Sequence, residues 1–81
     1  MSAVFLSGVS DMSDNCRSFI DQLIDKRHDL GMTQKELATA TGLTQSVIGR
    51  LESKKTIPQL DTLLRVVTAL GCELKIVSTS D

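Results

Sequence analysis

Residues 33–52 read TQKELATATGLTQSVIGRLE, and this stretch specifies most of the architecture. It begins with Thr33 and has Glu36 three residues later, the capping-box pattern that starts a helix. Gly42 interrupts the stretch where a turn requires a positive φ, which glycine adopts without steric cost. Thr44 then supplies a side chain that caps another helix start. The stretch therefore predicts two short helices joined by a tight turn.

The residues before and after this pair of helices also follow helical periodicity. Apolar residues recur at steps of three and four after Ser13 or Asp14, either of which can cap a helix, and Gly31 ends that helix. A last helical segment covers residues 59–70, and Gly71 ends it. The predicted inward-facing residues are Phe19, Ile20, Leu23, Ile24, Arg27 and Leu30 in the first helix and Leu60, Leu63, Leu64, Val67 and Leu70 in the last.

The C-terminal pattern differs, because residues 73–77 alternate polar and apolar side chains. Such alternation is typical of a strand, and a single strand needs a partner for its backbone hydrogen bonds. We therefore expect Leu74, Ile76 and Val77 to mediate dimerisation through a strand shared between two copies, and a frayed tail is the alternative. The predicted organisation is a flexible arm over residues 1–12, an all-α domain of four to five helices over residues 13–71, and a strand-forming tail over residues 72–81.

Composition excludes several function classes for this chain of 81 residues. Two Phe, without Tyr or Trp, argue against stacking on single-stranded nucleic acid, and a net charge of −1 argues against binding by bulk charge. One His and two Cys without metal-ligand spacing predict no metal, no cofactor and no enzyme activity. We expect Cys16 and Cys72 to be reduced, buried or half-buried thiols, with a disulfide as the alternative. Because no apolar stretch is long enough to span a membrane, we expect a cytoplasmic protein.

The second helix of the pair has an unusual outward side. Gln45, Ser46, Gly49 and Arg50 share it, whereas a surface that only maintains solubility more often carries Glu and Lys. Short side chains with hydrogen-bonding ends suit a helix that lies in the major groove of DNA. Residues 33–58 also contain four Lys or Arg against two Glu, so the neutral chain has a locally basic region.

Two short helices around a glycine turn form a helix-turn-helix, and here the sequence resembles the Cro/C1-type (Xre-like) family of bacterial and phage regulators. The resemblance covers residues 19–71. It implies a lambda-repressor-like bundle that binds double-stranded operator DNA as a homodimer. The motifs that carry it are LGMTQKELA at 30–38, TGLTQSVIGRLE at 41–52, PQLDTLL at 58–64 and ALG at 69–71.

The resemblance also implies roles for individual residues. By their own chemistry, Gln45 suits adenine and Arg50 suits guanine. Arg27 and Glu52 are expected to form a structural ion pair. For the lysines among the phosphate contacts, simple solubility is the alternative role. The implied base-reading residues are Thr44, Gln45, Ser46, Gly49 and Arg50, and the implied phosphate contacts are Thr33, Gln34, Lys35, Lys54, Lys55 and Thr56.

The sequence departs from the family pattern at two positions. Many relatives have glycine just after the third helix, where this chain has Lys54, so the loop must turn without it. Gly49 stands where relatives often carry a side chain, and it weakens its helix by about 1 kcal/mol relative to alanine.

The C-terminal part, residues 60–77, is similar to the HipB-type antitoxins of toxin–antitoxin modules. That similarity implies a repressor of its own operon with a toxin as partner. The alternatives are a stand-alone or phage-type repressor, a restriction–modification controller, or a protein-interaction module in which the helix-turn-helix is only a scaffold.

Overall fold

The computed structural model describes residues 12–79. Within that range the chain forms four α-helices, α1 (Asp14–Asp29), α2 (Gln34–Thr41), α3 (Gln45–Ser53) and α4 (Leu60–Ala69). The predicted all-α bundle is confirmed, with four helices in the described range. The predicted N-terminal arm lies outside the described residues except for Met12, which is 7 % exposed and packs in the core.

The helix starts follow the capping residues of the sequence. Ser13 and Thr44 each accept a hydrogen bond from the backbone N–H three residues later, at 3.1 Å. At Thr33 the capping box is complete, because its Oγ1 accepts from the N–H of Glu36 at 3.0 Å and its own N–H donates to Glu36 Oε1 at 2.8 Å. Gln59 forms no side-chain cap, and α4 begins one residue later than predicted. Local hydrogen bonds therefore set three of the four helix starts.

The core lies where α2 meets α3 and α4, with α1 packed against α3. Ala38 is buried in α2, which packs against α3, as the close approach of the two helices requires. The buried apolar residues are Met12, Ile20, Leu23, Leu37, Ala38, Ile48, Leu51, Val66, Val67 and Leu70.

Three residues that we predicted to face inward are exposed. Leu60 is 63 % exposed and Leu64 is 40 % exposed, because α4 turns a different stripe toward the core. Leu30 is 49 % exposed, since it follows the last residue of α1 as its C-cap and does not share the inward side of that helix. The residues of α4 and its C-cap that face the core are Leu63, Val66, Val67 and Leu70, at spacings of three and four.

The tail leaves the bundle after Gly71, whose φ of +75° ends α4. Residues 72–79 form no strand in the single chain, because residues 12–79 provide no strand for backbone pairing. Leu74, Ile76 and Val77 are exposed in this segment. Cys72 is exposed as well, so its expected burial is wrong, whereas Cys16 in α1 is half-buried. No helix of the described range has the length and apolar character that a membrane span requires.

Candidate nucleic-acid interface

The turn between α2 and α3 is fixed by Gly42 and Thr41. Gly42 has a φ of +75°, the left-handed conformation that glycine adopts freely. Thr41 Oγ1 donates to the carbonyl of Leu37 at 2.9 Å and accepts from the N–H of Leu43 at 3.3 Å. The Leu43 N–H also reaches the carbonyl of Ala38 at 3.1 Å. These bonds hold the two helices at one angle and thereby fix the direction in which α3 presents its outer side.

The outer side of α3 is exposed. Gln45, Ser46 and Arg50 are exposed and Gly49 is half-buried, whereas Ile48 and Leu51 on the opposite side belong to the core. The Thr44 hydroxyl accepts one hydrogen bond as the helix cap, from the N–H of Val47, and keeps its O–H donor and a second lone pair. Within residues 12–79 the Gln45 amide and the Arg50 guanidinium have no side-chain partner, which leaves their donors and acceptors available to a ligand.

A buried ion pair between Arg27 of α1 and Glu52 of α3, together with Gln34 of α2, joins three helices. Arg27 Nε donates to Glu52 Oε2 at 2.7 Å, and Arg27 Nη2 donates to Glu52 Oε1 at 2.8 Å. Arg27 Nη1 also donates to the carbonyl of Met32 at 2.7 Å. Gln34 Nε2 donates to Glu52 Oε1 at 3.0 Å. The carboxylate of Glu52 in α3 therefore holds α1 through Arg27 and the first residue of α2 through Gln34.

The structure brings two pairs of the predicted DNA contacts together. A Cβ built at Gly49 would lie 3.7 Å from Gln34 Oε1, so the start of α2 borders the outer side of α3. Arg50 and Thr56 line the same open groove of about 300 Å³, together with Val47 and Ile57. These contacts arrange the start of α2, the outer side of α3 and the following loop as neighbouring parts of one surface.

Lys54 is placed differently from the other predicted phosphate contacts. It is the C-cap of α3 and has a φ of +60°. The chain therefore turns after α3 in the left-handed conformation without a glycine at this position. Its Nζ forms an ion pair with Asp21 of α1. Lys35 and Lys55 are exposed and form no ion pair within residues 12–79. Lys35 at the start of α2 and Lys55 after α3 are therefore cations without an ion-pair partner in this range, whereas the charge of Lys54 is partly neutralised.

The same helical arrangement occurs in known proteins, since residues 23–77 match the family described as helix-turn-helix. The chain belongs to this helix-turn-helix family, of the Xre-like type.

Individual relatives of this helix-turn-helix chain carry two kinds of name. An uncharacterized HTH-type transcriptional regulator of Haemophilus influenzae is 45 % identical over 60 residues, which cover 74 % of this chain and 61 % of that protein. Antitoxin HigA1 of Mycobacterium tuberculosis is 30 % identical over 70 residues, which cover 86 % of this chain and 47 % of that protein. The chain thus spans about half to three fifths of the length of these relatives.

A solved structure shares the fold. A chain of a toxin–antitoxin module from Streptococcus pneumoniae superposes with a TM-score of 0.69 at 40 % sequence identity, covering 83 % of this chain and 74 % of that one. Similarity to proteins of toxin–antitoxin modules is therefore found in sequence and in structure, and the relative named as an antitoxin above is HigA1.

Two side-chain contacts at the helix-turn-helix surface could not be predicted from the sequence. Asp21 of α1 pairs with Lys54 at the end of α3. Gln34 was expected to bind phosphate, and the structure also gives it Glu52 as a partner. Both contacts join residues far apart along the chain, and neither side chain has a pattern that identifies its partner.

Proposed function

We propose that this chain is a sequence-specific DNA-binding repressor that acts as a homodimer on a pseudo-palindromic operator. The observation that carries the proposal is the outer side of α3, where Gln45, Ser46 and Arg50 are exposed with unused hydrogen-bonding groups. In the major groove a glutamine pairs with adenine through two hydrogen bonds and an arginine pairs with guanine in the same way. Each such pair contributes about 1–3 kcal/mol of discrimination between bases.

Contacts to the DNA backbone position this reading helix. Thr33, Gln34 and Lys35 at the start of α2, and Lys55 and Thr56 after α3, are the side chains that we assign to phosphates. The Gln34 amide has two N–H donors, of which one binds Glu52 and one remains for a phosphate oxygen. Lys54 is the weaker phosphate contact in this proposal, because its charge is partly neutralised by Asp21. Phosphate contacts of this kind set orientation and add affinity that falls with salt.

The test compares DNA binding by the purified chain and by a double variant, Gln45→Ala with Arg50→Ala. The duplex is the one that the wild-type protein selects from random fragments, and binding is measured by fluorescence anisotropy at physiological salt. We expect the double variant to bind the selected duplex at least about 30-fold more weakly, the loss of roughly 2 kcal/mol or more. Random-sequence DNA should lose far less affinity.

The matched control is Gln22→Ala with Arg65→Ala, which removes the same two residue types from exposed positions of α1 and α4. It changes the net charge by the same amount, so it reports any effect of charge alone. Equal wild-type affinity for selected and random DNA would contradict sequence-specific recognition and favour the scaffold alternative, in which the helix-turn-helix does not read DNA. Equal losses in both double variants would contradict the assignment of Gln45 and Arg50.

Homodimerisation is supported by apolar side chains that the single chain leaves exposed. Leu74, Ile76 and Val77 are exposed in the alternating tail segment, and Leu60 and Leu64 are exposed on α4. A strand forms only when its backbone groups find a partner strand, and a second copy provides one across a two-fold axis. Two copies would also place two α3 helices in successive major grooves, with half-sites about one helical turn apart.

Sedimentation equilibrium at micromolar concentration tests this assembly. We expect the wild type to be dimeric and Ile76→Asp to be monomeric, because a charge on the paired tail must be desolvated. Thr79→Asp, which adds the same charge nearer the end of the described tail, is the control and should remain dimeric. A monomeric wild type, or a dimeric Ile76→Asp variant, would contradict strand pairing through the tail.

We further propose that the repressor is an antitoxin that regulates its own operon, because its relatives include one named antitoxin HigA1 and a chain of a toxin–antitoxin module. The decisive measurement is growth of cells that express the neighbouring gene with and without this chain. Growth arrest that this chain relieves is the expected result. If the neighbouring gene is harmless, the chain is instead a stand-alone or phage-type repressor or a restriction–modification controller.

A further inference from the structure

Gly49 is a glycine that the fold of the free protein does not require. Gly31, Gly42 and Gly71 all have a positive φ, whereas Gly49 lies within α3 and does not have a positive φ. A side chain at Gly49 would therefore meet no backbone strain. Glycine in a helix interior is destabilising relative to alanine, because it loses more conformational freedom on folding.

The space around Gly49 also accepts a side chain. A Cβ at this position would have one neighbouring atom within 4 Å, Gln34 Oε1 at 3.7 Å, which is an ordinary van der Waals distance. The Gln34 amide is held in place by its hydrogen bond to Glu52, so it forms a fixed border beside Gly49. Neither packing nor backbone geometry in the free protein explains why this position has no side chain.

The position of Gly49 on the outer side of α3 provides the explanation. It lies four residues after Gln45 and three after Ser46, so all three share one side of the helix, and Arg50 follows it directly. We propose that Gly49 is a specificity-determining residue, because the absence of a Cβ lets the base-pair edges approach α3 closely enough for Gln45 and Arg50 to form their hydrogen bonds. This inference rests on the proposed DNA-reading function.

The inference predicts opposite effects of Gly49→Ala on folding and on recognition. The variant should melt at a higher temperature than the wild type, by roughly 4–8 °C for a domain of this size. It should bind the selected duplex at least about tenfold more weakly, because the base contacts of both Gln45 and Arg50 are weakened. Its affinity for a random duplex should stay within about twofold, because contacts to phosphates do not depend on the fit to base edges.

The control for stability is Thr68→Ala, an exposed α4 residue whose hydroxyl forms no hydrogen bond within residues 12–79. Alanine has the higher helix propensity, so this variant should also melt higher, and it should bind both duplexes as the wild type does. It separates an effect of added stability from an effect of the side chain at position 49.

Every other outcome would contradict a specific step of the inference about Gly49. If Gly49→Ala melts higher and binds the selected duplex as tightly as the wild type, Gly49 does not determine specificity, while the proposed function stands. If it weakens both duplexes equally, the side chain obstructs the DNA backbone and not the base edges. If it melts lower, the space beside Gln34 does not accept a Cβ. A wild type that binds both duplexes equally removes the proposed function itself.

Discussion

Replacing Glu52 by alanine removes the group that joins three helices. The substitution eliminates both hydrogen bonds from Arg27, at 2.7 and 2.8 Å, and the bond from Gln34 at 3.0 Å. Arg27 is only 7 % exposed, so its guanidinium stays buried after its counter-ion is gone. Its remaining partners would be the Met32 carbonyl at 2.7 Å and the His28 ring, whose Nε2 lies 3.2 Å from Nη2. Neither of these two partners is a carboxylate, so neither replaces the negative charge of Glu52.

The expected cost follows from this burial. Removing one partner of a buried ion pair lowers the free energy of unfolding by roughly 3–5 kcal/mol, because the other charge is left uncompensated. For a domain of this size, 1 kcal/mol corresponds to about 4–8 °C in melting temperature. We therefore expect Glu52→Ala to melt at least about 12 °C below the wild type in thermal unfolding followed by circular dichroism.

Two further variants make the result specific. Asp61→Ala removes the exposed ion pair with Arg65 on α4, and it should cost below about 1 kcal/mol. Arg27→Met with Glu52→Leu removes both buried charges, so it should melt well above Glu52→Ala. The reasoning is refuted if Glu52→Ala melts as high as Asp61→Ala, because the buried pair would then contribute no more than a surface pair. A double variant as unstable as Glu52→Ala would refute the role of the uncompensated charge.

Three local substitutions test the geometry of the helix ends. Gly42→Ala should cost roughly 1–2 kcal/mol for its φ of +75° alone, since no atom lies within 4 Å of the new Cβ; a lower urea midpoint at constant m-value would report this. Lys54→Gly should gain about 1 kcal/mol, because relief at φ +60° exceeds the loss of the exposed Asp21 ion pair; a melting temperature no higher than that of the wild type would contradict this. Thr33→Ala should cost roughly 0.5–2 kcal/mol and should speed native-state hydrogen exchange in α2 before the other helices; uniform acceleration would disagree with a local cap.

The features that could be predicted from the sequence are those determined by near neighbours along the chain. The caps at Thr33 and Thr44 and the turn at Gly42 depend on residues within four positions, and all three are found in the structure. The inward side of α4 was predicted less well, because Leu64 and Val66 have similar apolar character and the choice between them depends on how α4 packs against the other helices. Amphipathic periodicity identifies a helix. When apolar residues occupy more than one side of that helix, the periodicity does not determine which side faces the core.

The candidate interface also has features that the sequence predicts and features that it does not. The exposure of Gln45, Ser46 and Arg50 follows from their spacing against Ile48 in a short helix. The partners of long polar side chains do not follow from spacing. Lys54 was assigned to phosphate as a free cation, yet it reaches Asp21, which precedes it by 33 positions. Such a contact depends on the packed arrangement of α1 beside the end of α3, which the linear sequence does not record.

Glu52 and Gly49 show that stability and recognition are distributed differently within one short helix. The carboxylate of Glu52 fixes the position of α3 relative to α1 and α2, and through Gln34 it also reaches the surface that we assign to DNA. We therefore expect a change at Glu52 to alter both folding and the proposed binding. The side chains of Gln45 and Arg50 form no hydrogen bond in that network within residues 12–79, and Gly49 borders it at Gln34. Glu52 lies seven residues after Gln45 and three after Gly49, so the buried ion pair borders the surface that we assign to DNA without using the side chains of Gln45 or Arg50. On the proposed function, these two side chains can therefore change to fit another operator while the buried ion pair keeps the helix in place.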